Sequence, residues 1–138
     1  MTKNELKDFL KQLYEDQYAR RMIIESIQMY LDKWSSYGEY PGMKEHNAFF
    51  LACIDHERDE IKKTTATVEA WSQYIKNETY RDIFIDRYTN GMKWDDIADK
   101  YNYSTSQIFH INSKCCGDIA RKTVTDIVTD HVCEAVSI

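Results

Sequence analysis

The segment ETYRDIFIDRYTNGMKWDDIADKYNYSTSQIFHINSKCCGDIARK, Glu78 to Lys122, divides into three short helices by its apolar spacing and its breakers. Tyr80, Ile83, Phe84 and Tyr88 share one face of the first helix, with Ile85 at the edge, and Asn90-Gly91 is a helix stop. A second helix starts near Trp94, turns Ile97 and Ala98 inward and closes at Tyr101. Asn102 falls where a tight turn needs a residue tolerant of positive φ, which Asn accepts better than most non-glycine residues. Tyr103 plugs the turn. Ser104 can cap the third helix, and Ile108 and Ile111 point inward from it. A short helix, a tight turn and a second helix with this inward set is the arrangement that presents a recognition helix to a DNA groove.

Working outward, the rest of the chain also reads as helical. The 138 residues are 43% hydrophobic and 13% aromatic, with only four glycines and one proline. Few breakers and no alternating β-branched runs predict an all-α protein. Residues 4–34 read as one long helix capped by Asn4, with Leu6, Leu10, Leu13, Ile24, Ile27, Leu31 and Trp34 on its apolar stripe and Gln17 and Arg20 interrupting it. The loop SSYGEYPGMKE, residues 35–45, holds two glycines and the proline. Residues 46–76 read as a second long helix. Its face carries Phe50, Ile54, Ile61, Val68, Trp71 and Ile75, with Glu57 and Thr64 in the gaps, and its TTAT run, Thr64–Thr67, suggests a bend. The expected organisation is a helical hairpin over 1–76, a helix-turn-helix unit over 77–122 and a short acidic C-terminal extension over 123–138, read as a helix docked on another surface, with a partner-held strand as the alternative. The hairpin's leftover apolar surface suggests a homodimer.

The segment resembles region 4 of bacterial sigma-70-type factors. It is still more similar to the small phage-encoded ArpU/RinA-like regulators built on that domain. The residues that carry the resemblance are Tyr80–Tyr88, Gly91, Trp94–Ala98, Tyr103, Ser104, Ile108 and Ile111. The resemblance implies a double-stranded DNA-binding transcription regulator acting on late or packaging genes, with RNA polymerase as a second partner. It ends near Lys122. The alternative is a sigma-like module that binds polymerase or another regulator without strong DNA binding.

In the DNA-binding reading the outward face of the third helix carries Thr105, Ser106, Gln107, Phe109, His110, Ser113 and Lys114. Gln107 suits an adenine, and Thr105 and Phe109 suit a thymine methyl. Lys114, Arg121 and Lys93 suit phosphates. Lys93 stands where relatives usually have a Ser or Thr cap, a loss that Asp95 and Asp96 partly offset through the helix dipole. Trp94 is read as packing. The net charge is −5, but residues 80–122 hold seven Lys and Arg against six Asp and Glu. Monomeric binding should therefore be weak and salt-sensitive. No nucleophile elbow, phosphate loop or metalloprotease motif occurs, so no enzyme and no cofactor is expected. Cys53 with His56 and His131 with Cys133 lack the second pair that a zinc site needs. Cys115 and Cys116 read as core. With no run of ~20 apolar residues and no apolar run after the first methionine, a cytoplasmic protein without membrane contact is expected, its cysteines reduced.

Overall fold

The computed structural model describes the backbone of residues 1–137 and the side chains of residues 1–122. It is all-helical: α1 (Lys3–Ser35), α2 (Met43–Ser72), α3 (Glu78–Tyr88), α4 (Trp94–Tyr101) and α5 (Thr105–Ser137). None of these helices is long and apolar enough, over the described residues, to cross a membrane.

The cap of α1 differs from the expected one. Thr2, in extended backbone, accepts the Glu5 amide on its hydroxyl at 3.2 Å, which starts the helix ahead of Asn4. The return through residues 36–42 uses Gly38 and Gly42, both at φ +78°. α2 then runs unbroken through Thr64–Thr67. Their hydroxyls bond back to carbonyls one turn earlier, Thr64 to Ile61 at 2.8 Å and Thr65 to Lys62 at 3.0 Å, so the low-propensity run stays helical.

The polar interruptions of the two stripes meet each other. Gln17, fully buried, donates to Thr64 Oγ1 at 2.8 Å. Arg20 pairs with Glu57 at 2.7 Å and with Asp16 at 2.9 Å. A polar layer matched across two helices specifies one register, because sliding either helix would strand a buried donor.

Below this layer lies the core. Leu6, Leu10 and Leu13 of α1, Val68 of α2, and Ile75 join Ile83, Phe84, Tyr88, Ile97, Ala98, Ile108, Ile111, Cys115, Cys116 and Ile119 in one cluster. All five helices feed it, on both sides of residue 77. Above the layer the hairpin is thin. Ile24, Ile27, Leu31 and Trp34 are only partly buried, and between residues 18 and 60 only Ile54 is fully buried.

At the α2–α3 junction Arg81 grips the Ile75 carbonyl through Nε and Nη2, at 3.2 and 2.8 Å, and Asn77 caps α3 by accepting the Tyr80 amide at 3.1 Å. α3 ends at Tyr88, where the Thr89 and Asn90 amides both turn back to the Ile85 carbonyl, and Gly91 follows at φ +71°. The backbone of α5 continues past Lys122 to Ser137 without a break. The side chains of the acidic extension, His131 and Cys133 among them, lie outside the described residues.

Gly117 sits in α5 where the N-terminus of α1 passes. A Cβ there would meet the Lys3 stem at 3.8 and 3.9 Å, ordinary contact distances. Glycine inside a helix costs about 1 kcal/mol relative to alanine. Gly117→Ala should therefore raise unfolding stability by about 0.5–1 kcal/mol, read as a higher denaturant midpoint with an unchanged slope. A destabilised variant would show that α1 needs the closer approach.

Candidate nucleic-acid interface

The α4–turn–α5 unit is built by local backbone rules. Lys93 precedes α4 and gives no side-chain cap, while Asp95 and Asp96 occupy the first turn. Asn102 closes α4 at φ 58°, ψ 39°, the one non-glycine with positive φ among the described residues. Its amide and that of Tyr103 satisfy the last carbonyls of α4, with Tyr103 N–H bonding to Ala98 at 3.0 Å. Tyr103 packs on the core. Ser104 then opens α5 with a reciprocal pair. Its hydroxyl accepts the Gln107 amide at 3.1 Å, and the Gln107 side-chain oxygen accepts the Ser104 amide at 2.8 Å. This is a capping box. Its Ser-x-x-Gln signature stands in the sequence, and the Gln107 arm completes the Ser104 cap expected there.

Behind the turn, Asp86 of α3 is the central polar group. It is 6% exposed. Lys100 Nζ and the Tyr101 hydroxyl donate to its Oδ2 at 2.8 and 2.6 Å, and Asn90 donates to Oδ1 at 2.9 Å. Its backbone carbonyl accepts the Met92 amide at 3.0 Å. Burial alone would raise this carboxyl, but the three donors outweigh burial and hold it below its usual value. The same contact, with burial leading, pushes the Tyr101 phenol up to about 12. Asp86 is not legible in the sequence, where it reads as one more charged residue on a helix.

A second device runs across the unit. The Arg87 guanidinium lies 3.4 Å over the Tyr14 ring and 4.2 Å over the Trp94 ring. It also donates to the Met92 carbonyl at 3.1 Å. Trp94 meets Phe109 edge-on at 5.7 Å. The column Tyr14–Arg87–Trp94–Phe109 therefore joins α1, α3, α4 and α5, and Trp94 packs as expected. Tyr88 adds a direct tie by donating to Asn112 at 3.0 Å.

Of the nine residues proposed for DNA contact, Lys93, Thr105, Ser106, Gln107, Phe109, His110, Lys114 and Arg121 are exposed and Ser113 is partly buried. They do not form one face. By the 100° helical step, Ser106, His110, Ser113, Lys114 and Arg121 share an outward stripe. Thr105 and Phe109 sit on the flank next to α4, where Phe109 is 52% exposed. Gln107 has its oxygen committed to the capping box. Arg121 lies roughly 22 Å along the axis from Ser106 and is paired with Asp118. The exposed side of α4 carries Asp95, Asp96 and Asp99.

Cys115 and Cys116 are 1% and 0% exposed. Burial pushes their thiols up to about 12 and about 11, far from a reactive thiolate. Comparison with known proteins returns no match among family models, curated proteins or solved structures.

Asp86 gives a pH-dependent prediction. A carboxyl held lower in the folded state contributes stability that is present above its unfolded value, near 4, and lost as pH falls through the folded value. Asp86→Asn should cost about 1–2 kcal/mol at neutral pH, the scale of one hydrogen bond to a charged group, and should flatten the loss of stability below about pH 4. Urea melts at pH 7 and pH 3.5 check this. An unchanged difference between the two pH values would remove Asp86 from the account.

Proposed function

We propose that this chain is a sequence-specific DNA-binding transcription regulator of the phage-encoded ArpU/RinA-like kind, with α4 and α5 as its helix-turn-helix. The observation that carries the reading is the outward stripe Ser106, His110, Ser113 and Lys114. It stands at the start of a helix whose turn is fixed by Asn102 and whose first residues are locked by the Ser104–Gln107 box. Small and polar side chains at the N-terminal turns of such a helix can approach base edges in a major groove. Lys93 and Lys114 supply phosphate contacts, and Arg121 and Lys122 extend the basic run along the same helix. The resemblance to the phage regulators points to late or packaging gene promoters as targets and to RNA polymerase as a working partner.

A second reading has its own support. The exposed aspartates of α4 oppose a phosphate backbone, and the half-exposed Phe109 beside Trp94 suits a protein surface. In that reading the unit docks on polymerase.

Gel-shift titration against DNA upstream of neighbouring genes, at two salt concentrations, tests the first reading. Specific binding should weaken steeply with salt. Lys114→Ala should lower affinity alike for all sequences and reduce the salt slope by about 1, whereas His110→Ala should cost about 1–3 kcal/mol on the preferred site only. Gln107→Ala also removes one arm of the capping box, so its melting curve must accompany its binding curve. If Lys114→Ala and His110→Ala both bind as the parent does, the stripe is not the reader. Co-purification with polymerase in the absence of any shift selects the second reading.

A further inference from the structure

The hairpin above the Gln17–Thr64 layer has an apolar edge with nothing on it. Tyr30 of α1 meets Phe50 and His46 of α2 at 5.1 and 5.6 Å, which marks one edge of the hairpin. Ile23 and Ile27 lie on the same side of α1, seven and three residues before Tyr30. Phe49 and Cys53 continue it on α2, with Phe49 edge-on to Phe50 at 5.2 Å. Ile23 is 45% exposed, Tyr30 40% and Phe49 63%.

We infer that this edge pairs with the same edge of a second copy of the chain, closing two hairpins into a four-helix bundle. Three observations single out a second copy. First, two helices alone leave this half with one fully buried residue, Ile54, and the smallest arrangement that gives it an inside is a second hairpin. Second, above the polar layer the edge carries charge only at its loop end, Lys33 three residues after Tyr30 and Glu45 four residues before Phe49, so the middle of two identical edges meets without repulsion, as an isologous interface requires. Of the charged residues in this part of α1, Arg20 is paired with Asp16 and Glu57, and Arg21 faces the α3–α4 loop. Glu25 and Asp32 fall on the Arg21 side by the helical repeat. Third, the area is of the right order. The edge offers roughly 400–500 Å² if its aromatic and aliphatic side chains expose a third to a half of themselves. That is the low end for a specific pairing, about half of the ~800 Å² per partner of a standard interface; Met22 and Met29, 46% and 66% exposed, lie about 100° round α1 from Ile23 and Tyr30 and stay outside it.

The edge is also turned away from the rest of the molecule. Tyr14 and Arg21, which hold the α3–α4 loop, leave α1 on its other side. Pairing therefore leaves both α4–α5 units uncovered. If those units bind DNA as proposed above, pairing doubles the phosphate contacts of a segment that has little positive charge of its own.

Sedimentation equilibrium of the full chain at micromolar concentration tests the pairing without reference to DNA. The parent should run at twice the chain mass. Ile23→Glu and Phe49→Glu should each shift it to the single mass with the helical circular dichroism retained. Leu51→Glu, an equally exposed apolar position about 200° round α2 from Phe49, should stay paired. A parent of single mass overturns the proposal, as does a double mass that survives both edge variants. Loss of pairing in all three variants would show that this edge is not the interface.

Discussion

A buried carboxylate governs the geometry of the α3–α4–α5 unit. Asp86 gives up its hydration where desolvation of a charge costs several kcal/mol, and that cost is offset only if every oxygen is occupied. Lys100 and Tyr101 occupy one oxygen and Asn90 the other. These donors come from the end of α4 and from the loop before it. The penalty for leaving Asp86 unpaired therefore falls on any arrangement in which α4 tilts away from α3. The position of α4 sets the turn at Asn102, and the turn sets where α5 begins.

The loop between α3 and α4 is held from the opposite side by α1. Arg21 donates to the Thr89 carbonyl at 2.8 Å and the Tyr14 hydroxyl to Gly91 at 3.3 Å, while Arg87 reaches Met92. Three carbonyls of the loop, those of Thr89, Gly91 and Met92, are thus satisfied by side chains of α1 and α3. Gly91 suits the loop through its backbone: its φ of +71° disfavours a side chain, and a Cβ would push aside the Arg21 guanidinium that bonds to Thr89. The hairpin is therefore part of the scaffold of the C-terminal unit, and burial lowers the proton affinity of both Arg21 and Arg87 without removing their charge.

Periodic and local features were legible in the sequence. The all-helical class follows from the 3.6-residue pattern with few breakers, Asn102 from its tolerance of positive φ, and the stop at Asn90-Gly91 from turn chemistry, whereas the tail read as a separate helix continues α5. The inward set Ile83, Phe84, Tyr88, Ile97, Ile108 and Ile111 follows from the apolar spacing and is buried. Pairings between distant residues were not legible. Gln17 and Thr64 looked like two separate flaws in two stripes, and only the antiparallel register brings them to 2.8 Å. Asp86 was hidden for the same reason, since its partners lie up to fifteen residues away. The upper half of α1 misled in the other direction. Ile24, Ile27 and Leu31 continue the stripe perfectly well, but no third helix arrives to bury them.

That last mismatch explains how one long helix can serve two ends of the molecule. Below Gln17, α1 meets α2, α3 and α5 and its leucines disappear into a common core. Above Arg21, which still reaches the α3–α4 loop, it packs on α2 and the loop that joins the two. The polar layer of Gln17, Arg20, Thr64 and Glu57 stands at the boundary, where the lower core fixes the register and the upper half inherits it. A helix is stiff over this length, so the orientation set below by Tyr14 and Arg21 also sets which way Ile23 and Tyr30 face above. The outward stripe of α5 and the bare edge of the hairpin are thereby held in one fixed relation through the body of α1.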